Sequence, residues 1–282
     1  MSDSVTAVTL GGLALTGTDD AGVEWHTVAP IVGWDGSPAS SIQLTQKPRG
    51  PGAWPGPRQL AARVVDLTGY ALAPSAAALE AATDQLNAAA ALEAATLTVQ
   101  RGDSPRSATV YRQTEVVWTE VTDTLSQWAV QLVAADPRKY GAEQIVSTGL
   151  PSSSGGLTFP VAFPVTFTGV TVTGAVHIDN PGNTATPLVC RIDGPVTAPT
   201  IRHVGQGAEV TLSTDYALDA ASTLIVDMEA RTVLEGGTAS RNPYVTSRGF
   251  FLLDPGPNDL IFSGDTYDPA ALLTITYSPA YL

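Results

Sequence analysis

The sequence predicts a mainly β protein of two domains, with a single helix in the first of them. Three observations carry this prediction. The 282 residues are enough for two cores of about 140 residues each, and 44% of them are hydrophobic. The 26 Gly and 21 Pro accompany abundant Thr and Val, a composition typical of strands joined by tight turns. Several stretches also alternate apolar and polar residues, with the period of two that a half-buried strand requires.

The first domain opens with strand-like segments. Residues 5–15 and 23–34 are predicted strands, and the residues between them supply turn chemistry. Lys47–Arg58 carries four prolines and three glycines, which predicts a long exposed loop around Trp54. Long loops of this kind in compact domains are usually functional. Another strand is expected at Gln59–Leu67.

One helix is predicted, at about residues 75–91. Ser75 is a favourable N-cap, and the sequence after it is rich in alanine. Apolar residues then recur at helical spacing, at Leu79, Ala82, Leu86 and Ala90. A single helix among strands buries its apolar stripe by covering one face of a sheet.

The end of the first domain is marked by the stretch Leu125–Gly141. A hairpin of Leu97–Arg101 and Ala108–Thr122 is expected before it. The stretch itself begins as a strand, with Trp128 on its apolar face, and stops at a proline that cannot donate to a ladder. We therefore expect an N-terminal domain at residues 1–141 and a C-terminal domain at residues 142–282.

The residues that follow this strand are the candidate seam between the two domains: Asp136, Pro137, Arg138, Lys139 and Tyr140. Arg138 and Lys139 form a rare basic pair in an acidic chain. A solvated pair after a turn is one interpretation. The other is that the pair binds acidic groups of the neighbouring domain or subunit, in which case charge reversal at both positions weakens assembly.

The second half of the chain predicts a β-sandwich, because short strands follow one another with turn signals between them. The last strand places Leu273, Ile275 and Tyr277 on its inward face. The other expected strands are Leu157–Thr173, Ala175–Asp179, Pro187–Asp193 and Leu224–Leu234.

Charge and composition exclude several classes of function. The net charge of −13, with only 14 basic residues, argues against stable binding of DNA, RNA or anionic membranes. The single cysteine, Cys190, cannot form an intrachain disulfide. The N-terminal residues lack the basic region of a signal peptide, and no apolar run approaches a membrane span. We expect a soluble product that is made in a cytoplasm, with no membrane insertion.

The sequence predicts no catalytic, cofactor or metal site. His26, His177 and His203 are scattered, and Cys190 lies in an apolar strand, as an inert core thiol does. Asp227 and Glu229 lie on the same face of a predicted strand, where a pair of carboxylates could in principle act on a glycoside. The solvent-facing side of a sandwich strand carries the same residues without any chemistry.

Two short motifs have ordinary interpretations as turns. Arg101-Gly102-Asp103-Ser104 contains a tripeptide that some adhesion receptors bind, but Gly-Asp is also what the tip of a hairpin needs. Asp265-Thr266-Tyr267-Asp268 offers two carboxylates, which are too few oxygen ligands for calcium.

Several diffuse motifs, taken in order, resemble the distal tail protein of siphovirus-type phages. They are PRGPGAWPGPRQLAARVVDLTGY, the Ala-rich helix, the strand that ends in DPRKYG, FPVAFPVTF, HIDNPGN, GPVTAPTI, LIVDMEARTVLEGG and FLLDPGPNDLIF. Each could be ordinary strand-and-turn sequence, whereas their order and spacing over essentially the whole chain carry the resemblance.

This resemblance implies a non-enzymatic structural protein of the virion tail, assembled in the host cytoplasm. It implies a homohexameric ring formed by split-barrel-like N-terminal domains with one helix each, from which galectin-like β-sandwiches project. Partners of the ring are the tail tube protein, a tail-tip hub or tail-associated lysin-like protein, and receptor-binding or side-fibre proteins. DNA passes through the ring without specific binding, and no cofactor is implied.

Two functions of other classes remain as alternatives. One is a carbohydrate-binding adhesion module that acts at the host surface through the C-terminal sandwich. Because no tryptophan follows Trp128, only Tyr and Phe could stack on sugar rings there. The other is a hydrolase, which the scattered histidines and carboxylates disfavour.

Overall fold

The chain forms two compact units. The computed structural model describes residues 5–154, 170–172, 174–266 and 268–282. The first unit runs to Ala142 and includes Tyr281 and Leu282, and the second is Glu143–Ala280. Within the described ranges, no helix combines the length and the apolar character needed to cross a membrane.

The first unit is built from short strands and one helix. In chain order they are Val5–Leu10 (β1), Leu13–Ala14 (β2), Gly17–Thr18 (β3), Glu24–Thr27 (β4), Ser40–Gln46 (β5), Ala53–Leu60 (β6), Arg63–Leu72 (β7), Ala76–Ala89 (α1), Ala95–Arg101 (β8), Ser104–Arg112 (β9), Val117–Thr122 (β10), Leu125–Ala134 (β11) and Lys139–Tyr140 (β12).

The main sheet of the first unit is barrel-like and nearly closed. Its strand order is β2-β1-β8-β9-β11-β7-β4-β3, with β10 also paired to β11 and β12 to β9. The predicted strand β11 pairs antiparallel with β7 along its whole length, from Leu125 opposite Leu72 to Ala134 opposite Arg63. Its side chains alternate between a buried face and a more exposed face, as predicted. Trp128 lies on the buried face, is 2% exposed and contacts Trp25.

The predicted helix is confirmed as α1. The Ser75 side chain accepts a hydrogen bond from the Ala78 N–H, which satisfies one of the free donors of the first turn. Leu79, Ala82 and Leu86 are buried in the core of the first unit. The helix therefore covers the apolar interior of the sheet.

The loop predicted at Lys47–Arg58 is right for residues 47–52 and wrong for the rest, because residues 53–58 belong to β6, which forms an antiparallel hairpin with β5. Pro55 lies opposite Leu44 within this hairpin. Prolines fit because a strand in a two-stranded ribbon has one side without ladder hydrogen bonds. The strand predicted at Gln59–Leu67 is also divided, with β6 ending at Leu60 and β7 starting at Arg63.

The predicted hairpin around Gly102 is confirmed and is tighter than expected. Its strands β8 and β9 pair from Ala95 opposite Val110 to Arg101 opposite Ser104. Gly102 takes φ +54° at the tip. The segment expected as one strand at Ala108–Thr122 forms the end of β9 and the separate strand β10.

The second unit contains two principal sheets. The elements are Gln144–Gly149 (β13), Ser152–Ser154 (β14), Val170–Val172 (β15), Ala175–Asn180 (β16), Leu188–Asp193 (β17), Val196–Thr197 (β18), Thr200–His203 (β19), Ala208–Leu212 (β20), Ala217–Leu218 (β21), Thr223–Asp227 (β22), Thr232–Glu235 (β23), Ala239–Ser240 (β24), a 3-10 helix at Asn242–Tyr244, Val245–Arg248 (β25), Gly256–Ser263 (β26) and Leu272–Tyr277 (β27). The last strand, Ala280–Tyr281 (β28), belongs to the main sheet of the first unit.

The predicted sandwich is present in this second unit. One sheet has the order β13-β27-β17-β22-β23-β24 and the other β16-β26-β19-β20-β25. Inward residues of both sheets, such as Cys190, Phe262 and Ile275, form a shared buried core. The finer description as galectin-like stays a prediction. Most of the strand expected at Leu157–Thr173 lies outside the described residues.

The single strand predicted at Leu224–Leu234 is wrong. β22 and β23 form a hairpin, and the chain turns between Asp227 and Thr232. The Asp227 carboxylate accepts hydrogen bonds from the N–H groups of Glu229 and Ala230, and Arg231 takes φ +56°. The turn contains neither Gly nor Pro, and the apolar residues keep alternating through it. The sequence therefore predicts one continuous strand where the structure has a hairpin.

Candidate functional site

The hairpin of β5 and β6, which we call the arm (Ser40–Leu60), is the least buried part of the first unit. Every residue of β5 is exposed, as are six of the eight residues of β6. The two strands pair with each other and with no other strand among the described residues. Both outer edges of the arm therefore offer backbone N–H and C=O groups to another chain.

The arm also carries large apolar side chains in contact with solvent. Leu44 is 62% exposed and Trp54 is 53% exposed. Leu44 pairs with Pro55 and Trp54 pairs with Thr45, so the two apolar side chains lie on opposite faces of the ribbon. Ile42 and Leu60 are each 43% exposed. A two-stranded hairpin alone is marginally stable in water, and exposed apolar groups of this size mark contact surfaces.

The outer face of the main sheet is the second apolar surface of the first unit. Val64 and Tyr111 both pair with Val133 from opposite sides, and each is about 40% exposed. Of the large hydrophobic side chains that are exposed in the described residues, 13 lie in the first unit and five in the second. The surfaces suited to assembly are thus concentrated in the first unit.

The candidate seam is organised around the Asp136 carboxylate. Arg138 donates to it through Nε at 2.8 Å, and the Tyr140 hydroxyl donates at 2.5 Å. Burial alone would raise the pKa of Asp136, but these hydrogen bonds hold it below its ordinary value. Asp136, Arg138 and Tyr140 therefore form a local network. Whether they also form intersubunit contacts stays a prediction.

Lys139 points into the interior of the first unit and is 3% exposed. Its ammonium donates to the Trp34 carbonyl at 2.8 Å and lies 5.7 Å from the centre of the Trp34 ring. Burial, and next the positive charges of Arg63 and Arg106, lower the pKa of Lys139 to about 8. The two members of the basic pair therefore have different environments.

Arg63, which the sequence did not single out, holds this interior together. Arg63 is 2% exposed, and its guanidinium donates to the carbonyls of Gly33, Trp34 and Gly36 and to that of Pro137. Burial lowers the pKa of Arg63 below its ordinary value. The sequence signal was weak, since an arginine at the start of a strand is ordinarily exposed.

The histidines and the cysteine that could have had a catalytic or metal-binding role have structural surroundings instead. His203 is buried between the Asn258 side chain and the Gln206 N–H, and His177 contacts Asp259 at the surface. Burial raises the pKa of the Cys190 thiol to about 12, which confirms a core thiol. No group of three or more metal-ligating residues is present in the part of the chain that the structure describes.

Comparison with known proteins identifies relatives of this architecture. Residues 181–281 match the model of the family described as siphovirus-type tail component, C-terminal domain. No curated protein matches the chain at the level of sequence.

Solved structures with a similar fold come from phages. The chain is similar to the Dit protein of phage SPP1, described as a hub of the adsorption apparatus of phages that infect Gram-positive bacteria. The TM-score is 0.66 at 12% identity, over 98% of this chain and 99% of that chain. A weaker likeness is to a chain of the phage P2 baseplate in its activated conformation with Ca, with a TM-score of 0.48 at 11% identity over 90% of each chain. The predicted resemblance to distal tail proteins is thereby confirmed: residues 181–281 match the model of the siphovirus-type tail component family, and the chain has a fold similar to that of SPP1 Dit over nearly its whole length.

Proposed function

We propose that this protein is a structural hub of a phage tail tip and forms a homohexameric ring. In this proposal the ring joins the tail tube to the host-recognition apparatus and lets DNA pass through its centre. The observation that carries the ring is the arm, which has open edges and exposed apolar side chains and pairs with no other described strand.

The arm suits a contact between neighbouring copies of one chain. In a cyclic assembly, each subunit offers one surface to the next and receives a different surface from the previous one. The arm would supply the first, and the exposed face around Val64 and Tyr111 could supply the second. Trp54 provides a large apolar anchor, the residue type that most often dominates the binding energy of an interface.

Charge supports the passage of DNA without binding. Each chain carries −13, so six chains carry roughly −78 before ions condense on them. Carboxylates that line a central channel would repel the phosphates of DNA. We expect neutralisation of the lumen carboxylates to slow genome ejection, whereas unchanged ejection kinetics contradict this part of the proposal.

The partners of the ring follow from the same proposal. One face of the ring would dock on the tail tube protein and the other on a tail-tip hub or lysin-like protein. The second units would carry receptor-binding or side-fibre proteins, after assembly in the host cytoplasm.

The alternative function, a carbohydrate-binding adhesion module, needs exposed aromatic rings that stack on sugars. Among the described residues of the second unit, Tyr244 has the one aromatic ring that is more than a third exposed.

Sedimentation velocity of arm variants tests the ring. We expect the wild type to sediment as six chains of 29.2 kDa, about 175 kDa in total. The double variant Leu44→Ser, Trp54→Ser removes the two most exposed apolar side chains of the arm and is expected to sediment as a single chain.

The matched control is Leu92→Ser, which removes an apolar side chain that is 75% exposed but lies outside the arm. It should assemble as the wild type does. A double variant that still forms the six-chain species would contradict the role of the arm. A wild type that stays at 29.2 kDa would contradict the ring.

A further inference from the structure

A second feature of the first unit is a pocket with an excess of positive charge. It has a volume of about 320 Å³ and lies beside the tip of the β8–β9 hairpin. Its principal lining residues are Trp34, Asp35, Arg101, Ser104, Arg106 and Lys139. Three cationic side chains thus face one carboxylate, in a chain whose net charge is −13.

The single carboxylate of the pocket is already engaged. Asp35 accepts a hydrogen bond from Arg101 Nη2 at 2.6 Å. Arg106 lies over the ring of Tyr281, with its guanidinium carbon 3.8 Å from the ring centre. Behind the pocket, Arg63 donates to the same Trp34 carbonyl as Lys139 does, which brings a fourth positive charge close by.

Several donors of this cluster have no acceptor. Lys139 is 97% buried, and its ammonium has three N–H donors. Among the described residues, these donors have a single acceptor, the Trp34 carbonyl. Arg101 Nε and Arg63 Nη2 are buried and have no hydrogen-bond partner in the described part of the chain. Buried charged donors left unsatisfied are costly, and an ion or ligand is one of the few explanations for them.

We propose that this pocket is an oxyanion-binding site, whose ligand is either a carboxylate of a second copy of this chain or a free inorganic anion. Arginine side chains bind such groups with two parallel N–H donors, and the lysine ammonium adds a compact positive charge. The site includes Arg101 and Ser104, the ends of the Arg-Gly-Asp-Ser motif at the hairpin tip. It lies within the first unit and does not depend on the ring.

Isothermal titration with inorganic sulfate at constant ionic strength, with chloride as the reference anion, tests the site. We expect one sulfate to bind per wild-type chain. Arg106→Gln and Lys139→Met should each weaken the apparent affinity about tenfold or more, because each removes a charged hydrogen-bond donor. Arg202→Gln is the matched control, since Arg202 is an exposed arginine on β19 of the second unit and should leave binding unchanged.

Sulfate that binds no better than chloride would overturn the proposal. Equal sulfate binding by the wild type and both pocket variants would also overturn it. Tryptophan fluorescence of each variant verifies that the first unit is folded, because all five tryptophans lie in that unit.

Sedimentation velocity then identifies the source of the oxyanion. If the ligand is a carboxylate of a second copy, saturating sulfate competes with it and shifts the protein toward smaller species than chloride does at equal ionic strength. Sedimentation that is the same in both salts assigns the site to a free anion. Each result supports the oxyanion site, provided that the titration has shown one sulfate per chain.

Discussion

Replacing the buried lysine by an apolar residue of similar length is expected to stabilise the protein. A fall in the pKa of Lys139 from 10.5 to about 8 means that keeping the charge in the folded state costs about 3 kcal/mol near neutral pH. Lys139→Met removes that cost and loses one hydrogen bond, worth about 1 kcal/mol. The Trp34 carbonyl keeps its bond from Arg63 Nη1 at 3.2 Å. The expected gain in the free energy of unfolding is about 2 kcal/mol.

The gain should depend on pH with a definite sign. Below pH 8 the ammonium is charged in both folded and unfolded wild-type chains, so the full cost is present. Between pH 8 and about 10.5 the folded chain releases its proton first, and the wild type recovers stability relative to the variant. Above this range, we expect the variant to be the less stable protein by about 1 kcal/mol, since only the lost hydrogen bond remains.

Guanidinium unfolding followed by tryptophan fluorescence at pH 7 and pH 10 is the assay, and it reports on the first unit alone. Lys47→Met is the matched control: Lys47 is the other lysine of the chain, it is exposed, and its replacement should change stability little at either pH. A Lys139→Met protein that is less stable than the wild type at pH 7 would refute the reasoning. A stability difference that stays constant from pH 7 to pH 10 would refute it as well.

Three further predictions concern packing and titration. Gly33→Ala should destabilise the first unit by about 3 kcal/mol or more in chemical denaturation, since φ is +80° and the added Cβ would lie 1.8 Å from a backbone oxygen. Gly12→Ala is the matched control: its φ is +92° and nothing lies within 4 Å of the added Cβ, so it should cost about 1 kcal/mol. Cys190 should react with a thiol reagent at pH 8 only as fast as the protein unfolds, and rapid labelling of native protein would contradict its burial. Asp136→Asn should remove stability at neutral pH, and the difference from the wild type should vanish as the pH falls through the lowered pKa of that carboxyl; a difference that persists in acid would contradict the network.

Regular elements with a local signal could be predicted from the sequence. Strand β11 and helix α1 each carry an unbroken apolar period, and the structure has both of them at the predicted positions. The turn at Gly102 has residues that favour it, and it was predicted as well. These features depend on neighbours within a few residues, so a single sequence contains the information.

Features that depend on distant contacts could not be predicted in this way. The sequence predicts a loop at Lys47–Arg58 because prolines usually exclude strands, and the two-stranded form of the arm removes that restriction for β6. The sequence predicts Lys139 in a basic pair that is either solvated or bound to acidic groups of the neighbouring domain or subunit. Its burial depends instead on Trp34 and Arg63, which lie far from it in sequence. Charge reversal at Lys139 would therefore test folding, and reversal at Arg138 alone is the cleaner test of assembly.

Electron microscopy of the purified full-length protein in negative stain tests the proposed hub most directly. The proposal predicts ring-shaped particles with sixfold symmetry and a central hole, made of six chains of 29.2 kDa. Single two-unit particles, rings of another symmetry or closed discs without a hole would contradict it.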